Sequence, residues 1–215
     1  MESTSYLKLA KELNDELHDE LLKKKVHFRG CMNSLSLISL ASETAERGVT
    51  GIKSKNAAIE NLKTFKVDMP RRNTPEKKLQ SWIILAAMRN GGILPFGDGL
   101  HFLTSELAFK EKERKIVNDI LALNPENDLV VIELKSSRLT KVFDQTIEFQ
   151  KLIEHKKELF AEIVQTVGGC IWSGKVKKVI VWNDGQKYAD KDHKYADIDQ
   201  YGYIEVKGDY RFEKK

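Results

Sequence analysis

Leucines recur every four residues at Leu9, Leu13, Leu17 and Leu21, a spacing that lines one face of a helix predicted over residues 4–25. Residues 33–48 (NSLSLISLASETAERG) predict a second helix ending at Gly48, and residues 54–65 (SKNAAIENLKTF) a third, capped by Ser54. The start signal in NTPEKKLQSWIILAAMRNGG is sharper: Thr74 caps, Pro75 takes the first helical position, Glu76 sits in the first turn, and Gly91 and Gly92 stop the helix. The period then falls to two. HFLTSELAF (101–109), KIVNDILAL (115–123) and LVVIELK (129–135) predict strands, the last two joined by the turn-rich NPEND (124–128). Residues 141–167 predict a long helix closed by Gly168 and Gly169, KKVIVW (177–182) a further strand, and YGYIEVKGDYRF a terminal hairpin. The result is an α/β protein: a mixed β-sheet flanked by helices in α-β-β-β-α-β order over residues 70–215, with an N-terminal helical lobe over 1–69.

Composition narrows the class without naming a function. With 215 residues, 41% hydrophobic and 32% charged, the chain can bury a sizeable core. No apolar run approaches the roughly 18 residues of a membrane span. MESTSYLKLAKELNDEL lacks the basic-then-apolar pattern of a secretory signal, and Cys31 and Cys170 are too isolated to suggest a disulfide framework or a zinc site, so a cytoplasmic protein without membrane contact is expected. The net charge of +4 is modest, but lysine and arginine gather in MPRRNTPEKK, KEKERK and KVKK. Such runs suit a polyanion-facing side and equally a solvated face.

One pattern break carries more information. Glu133 and Lys135 interrupt the apolar strand LVVIELK on the face shared with Leu129 and Val131. A hairpin closed by NPEND sets Leu123 opposite Leu129 and Leu121 opposite Val131, which brings Asp119 opposite Glu133 and Val117 opposite Lys135. Two carboxylates at about 4.5–5.5 Å between Cβ atoms repel unless neutralised. A bridging divalent cation would do so, and oxygen ligands with open positions suit Mg²⁺ or Mn²⁺. The competing reading is a buried Glu133–Lys135 salt bridge, which leaves Asp119 unexplained.

An Asp in a strand, a short hairpin, then Glu-Leu-Lys ending the next strand and leading into a helix, here VNDILALNPENDLVVIELK, resembles the PD-(D/E)XK nuclease superfamily with its restriction endonuclease-like fold. The resemblance spans residues 74–182, and Asn118 stands where the family's name has Pro. It implies a nuclease hydrolysing phosphodiester bonds, with DNA the expected substrate. Asp119 and Glu133 would be metal ligands together with the backbone carbonyl of Leu134, and Lys135 would orient and activate the attacking water. The resemblance also implies an accessory Glu on the preceding helix, for which Glu76 is the first candidate and Gln80 the second. It further implies a Gln on the following helix, for which QTIEF supplies Gln145 with Phe149 four residues on. A first-turn carboxylate at Glu76 and a structural amide at Gln145 are the bland alternatives. The alternative at the level of the whole protein is a catalytically silent module of the same fold, binding nucleic acid or another protein. A homodimer or a partner protein stays open under either reading.

Other signals are weaker. YIEVK repeats Glu-x-Lys at Glu205 and Lys207 but no helix follows, which predicts a surface strand. GGILPFGDG lacks the lysine and helix start of a phosphate-cradling loop. The five histidines show no metal-ligand spacing, and Trp82 and Trp172 are expected in the core.

Overall fold

The computed structural model of the protein describes residues 4–41, 48–65, 74–111, 114–136, 142–185 and 197–215. It is a mixed α/β structure with a six-stranded mixed sheet, a three-stranded antiparallel sheet and flanking helices. The N-terminal region begins with α1 (Ser5–Glu16) and α2 (His18–Lys24), so the leucine stripe continues through a break at Leu17 instead of forming one helix.

The second expected helix is not formed by Leu35–Ser39, which is strand β2 between β1 (Val26–Gly30) and β3 (Val49–Ile52). The alternation of Leu35 and Leu37 with serine is a period-two signal, and both leucines are fully buried against α1 and α2 residues Leu13 and Leu21. Residues 42–47 of that expected helix lie outside the described residues. Helix α3 (Lys55–Thr64) forms as expected, with Ser54 Oγ accepting from the Ala57 N–H at 3.2 Å.

The main sheet follows the expected succession. Helix α4 (Pro75–Arg89) starts where Thr74 Oγ1 accepts from the Lys77 N–H at 3.3 Å. Thr74→Ala is expected to lower unfolding free energy by about 1 kcal/mol in urea titrations, because it leaves an orphan donor at the helix start. Strands β4 (His101–Glu111), β5 (Arg114–Leu123) and β6 (Leu129–Lys135) pair antiparallel in sequence order. The turn after β5 is held by Asn124, whose Oδ1 accepts from the N–H groups of Glu126 (3.1 Å) and Asp128 (2.7 Å).

The long helix of residues 141–167 is three pieces: α5 (Val142–His155), α6 (Lys157–Ile163) and a π-helical turn Val164–Gly168, with Lys156 between α5 and α6. Strand β7 (Val176–Asn183) then pairs parallel to β6, and β8 (Ile198–Val206) parallel to β7. Strand β9 (Asp209–Lys214) returns antiparallel through a two-residue turn, with Lys207 at φ 52° and Gly208 at φ 85°, the left-handed pair that matches the twist of a hairpin. The hairpin expected at the C-terminus is therefore an edge of the main sheet.

Alternation along β5 and β6 divides the core in two. Ile120, Ala122, Val130, Ile132 and Leu134 face α4, while Leu121, Leu123, Leu129 and Val131 face α5 and α6. Phe149 and Phe160 are fully buried on the second face, each stabilising the fold by about 1.5–3 kcal/mol. Trp82 is only partly buried, edge-on to Tyr210 at 5.3 Å between centroids, and Trp172 is likewise partly buried at the margin of the second face. Trp182 is the tryptophan that is buried outright. Among the described residues no helix is long and apolar enough to cross a membrane.

Candidate functional site

Backbone pairing between β5 and β6 runs from Leu123↔Leu129 through Leu121↔Val131 to Ile120↔Ile132. This is the register inferred from the hydrophobic pattern. Beyond Ile120 side chains take over the ladder. Asn118 Nδ2 donates to the Ile132 carbonyl at 3.1 Å, and the Leu134 N–H donates to Asp119 Oδ2 at 2.9 Å. Here β5 parts from β6, and the side chain of Asp119 stands in the gap opposite Glu133.

Glu133 is 2% exposed, and its Oε1 has no hydrogen-bond partner. Burial pushes its carboxyl well above the usual range, and the negative charge of Asp119 adds to the effect. The carboxyl of Asp119 is raised too, by burial, against the lowering pull of the Leu134 N–H and the Lys135 charge. Both carboxyls therefore hold their protons to higher pH than solvated carboxylates do.

Lys135 does not neutralise Glu133 in a simple pair. Among the described residues its ion pair is with Glu76, at 4.0 Å from Oε2. Glu76 Oε1 meanwhile lies 3.3 Å from the Ser136 N–H and 3.5 Å from the Ser136 hydroxyl, so the first turn of α4 grips the end of β6. Asp119, Glu133, Lys135 and Glu76 are thus brought to one end of the β5–β6 pair, with Leu134 between Glu133 and Lys135 on β6. Gln145 is not brought into hydrogen-bond contact with them: it is exposed in the first turn of α5, and its amide makes no hydrogen bond among the described residues. Phe149, four residues on, is a core residue packed against Phe160 and Phe109.

Three neighbours were not anticipated from the pattern, and a fourth only as a second choice. Glu106 lies between the paired residues Ser105↔Ile120 and Leu107↔Asn118, beside Asp119, and has φ 54° in the middle of a strand. Left-handed backbone at a non-glycine strand residue is uncommon and costs energy. Lys77 ion-pairs with Glu106, and Arg29 Nη1 from β1 approaches it at 4.0 Å. Burial works to raise the Glu106 carboxyl, but Lys77, Arg29 and Gln80 together bring it below its ordinary value. Gln80 is the second choice, and it acts through the backbone: Nε2 donates to the Asp119 carbonyl at 2.7 Å and to Glu106 at 3.1 Å. A charge set inside HFLTSELAF is the same signal that singled out Glu133 and would have found Glu106. Nothing in the local sequence points to Arg29, which reaches the site from another sheet.

The arrangement fits a hard divalent cation. Two buried carboxylates facing each other across the end of the β5–β6 pair, one with an oxygen lacking a partner, match the one or two carboxylates through which Mg²⁺ is usually held with waters and phosphate oxygens. Among the described residues no group of three or more His, Cys, Asp or Glu side chains is placed to hold a metal ion, so any cation here would rest on two carboxylates with backbone, water or substrate oxygens. The second Glu-x-Lys takes no part: Glu205 is a surface residue of β8 bound to Lys78 at 2.6 Å. No family model matches the chain, and no curated protein matches it.

Proposed function

We propose that this chain is a metal-dependent nuclease of the PD-(D/E)XK type, with a restriction endonuclease-like core, hydrolysing phosphodiester bonds with DNA as the expected substrate. The observation that carries the reading is the meeting of Asp119 with the buried Glu133 at a point where β5 and β6 separate, with the Lys135 ammonium on the same strand end.

Asp119 and Glu133 would hold Mg²⁺ or Mn²⁺, with the Leu134 carbonyl as a backbone contribution. When bound, the cation supplies positive charge to the phosphoryl oxygens and lowers the pKa of a water. The chain does the remaining work. The Leu134 N–H fixes one oxygen of Asp119, so the carboxylate is oriented before any ligand arrives. Lys135 offers its ammonium to the attacking water and to the charge that develops on the phosphorane-like transition state. Glu76, hydrogen-bonded to Ser136, holds that ammonium near the strand end. Lys77 and Arg29 add positive charge around the acids, which favours approach of a polyanion.

The test is direct. Linear, circular and single-stranded DNA, and RNA, are incubated with the purified protein in Mg²⁺ or Mn²⁺ and in EDTA. Cleavage of DNA in either metal and none in EDTA is expected. Absence of cleavage in both metals, combined with salt-dependent DNA binding and no metal-linked thermal shift, would instead establish the catalytically silent module.

A further inference from the structure

Arg29 is a cation beside the acidic centre whose donors the fold leaves unused. It stands on β1, an edge of the three-stranded sheet, and its Nη1 lies 4.0 Å from Glu106 Oε2. That separation is too long for a hydrogen bond, and the guanidinium makes none among the described residues. Glu106 does not depend on it, since Lys77 contacts the same carboxylate directly and Gln80 donates to it at 3.1 Å. A guanidinium carries five N–H donors in a rigid fork, and leaving them unanswered in a half-buried place is costly.

The direction of the side chain follows from its neighbours. It is 21% exposed: Nε is enclosed and without a partner, while Nη1 and Nη2, which also lack hydrogen-bond partners, keep contact with solvent. His27, on the same face of β1, lines a cavity of about 560 Å³ between α1, β1, β4 and the glycine-rich connection after α4. Arg29, Lys77 and Glu106 do not line that cavity. The guanidinium is turned instead to the acids. Across the main sheet, Asp119 on β5 lies between Glu106 on β4 and Lys135 on β6, and the charges of both Lys77 and Lys135 act on its carboxyl.

From a guanidinium with unused donors, an accessible outer edge and a place beside Asp119, we infer that Arg29 binds a phosphate of the nucleic-acid strand, the one neighbouring the phosphate at the Asp119–Glu133 centre. The inference rests on the nuclease reading for its substrate. Nη1 and Nη2 meet two phosphate oxygens end-on, a planar match that a lysine does not offer. Glu106 keeps the guanidinium oriented without consuming its donors. A strand that sets one phosphodiester at the acids necessarily carries the next one alongside, and on the β4 side Arg29 is there to receive it. The N-terminal region thereby forms part of the substrate surface.

The anisotropy of short fluorescein-labelled DNA, single-stranded and duplex, is followed against the protein in EDTA, so that metal-supported cleavage does not enter, over a series of salt concentrations. Arg29→Gln should weaken binding by about tenfold at low salt. It should also lower the slope of log affinity against log salt by about 1, the signature of one lost phosphate contact. Arg29→Lys should keep the slope and lose part of the affinity. A residue that only balanced Glu106 would cost stability when replaced and leave the slope unchanged, and its effect would vanish in Glu106→Gln protein; the slope change is expected to persist there. Arg29→Met, which keeps the apolar stem, makes the same measurement should Arg29→Gln fail to fold. An unchanged slope in the Arg29 variants, or no salt-dependent DNA binding by the wild type, overturns the inference. Cleavage together with an unchanged slope removes only the Arg29 contact, whereas an Arg29-dependent slope without cleavage leaves that contact standing and removes only the reaction.

Discussion

If the chain is the proposed nuclease, Asp119→Asn, Glu133→Gln and Lys135→Met are each expected to lower metal-supported DNA cleavage by about 100- to 1,000-fold, the usual loss when one preorganised charge is removed from a reacting centre. The substitutions preserve volume, so the effect reads charge and not packing. Asp119→Asn keeps an oxygen that can accept from the Leu134 N–H, and Glu133→Gln removes a carboxylate that is buried with an unpartnered oxygen. Because the three groups would act as a unit, combining any two should cost little more than either alone. Glu205→Gln and Lys207→Met, in the exposed hairpin, serve as controls and should leave cleavage within about twofold, since neither approaches the Asp119–Glu133 pair. Gel-based cleavage with circular dichroism on every variant checks the claim. Full activity in all three site variants would remove the centre from the reaction.

The second large effect is on stability, and its sign follows from the protonation of the same pair. Asp119 and Glu133 both titrate above their ordinary values of 3.8 and 4.5 in the folded protein. The folded state therefore holds protons that the unfolded chain has released. Their contribution is fully present below the ordinary carboxyl range and is lost as pH rises through the folded-state values. Metal-free protein should lose stability as pH rises above the ordinary carboxyl range relative to Glu133→Gln, which carries no titrating carboxyl there. Once the wild-type pair is ionised, Glu133→Gln should be the more stable protein by about 1–3 kcal/mol, because a buried ionisable group lacking full compensation is gone. Mg²⁺ should raise the wild-type melting temperature more at the alkaline end, where it no longer competes with protons, and should raise that of Glu133→Gln little. Urea unfolding across the pH range, with and without Mg²⁺, makes the comparison. A wild-type curve that parallels the variant throughout would show that the pair does not retain its proton.

Arg29 gives the N-terminal region a place in this picture. It comes from the three-stranded sheet, yet its guanidinium approaches Glu106 beside Asp119. His18 and Met88 join α2 to α4 at 2.9 Å, and Leu7 of α1 belongs to the core on the α5 and α6 face. The region packs on the main sheet and contributes to both the acidic centre and the cavity.

Much of this was legible because the determinants are local. Thr74 and Pro75 start α4 through groups within three residues of each other, and the Asn-rich turn after β5, with period-two leucines on either side, sets the register that faces Asp119 with Glu133. Side chains alternate strictly in strands, so one correct pair fixes the rest. The segment Leu35–Ser39 reads as helix from the pattern because a short apolar run fits both periods, and its hairpin pairing with the preceding strand β1 decides for strand. The breaks at Leu17 and Lys156 left no proline or glycine to mark them.

By itself the sequence determined the succession of elements from α4 to β7, the β5–β6 hairpin register and the placing of Asp119 opposite Glu133, since each follows from backbone period, turn chemistry and nearest-neighbour spacing. Only the tertiary structure decided that Lys135 meets Glu76, that Gln80 and Glu106 buttress Asp119 while Gln145 faces solvent, and that a cavity walled by His27 forms between regions far apart in the chain. Those are contacts between elements. Their geometry depends on how faces dock across the core, and no local periodicity encodes that.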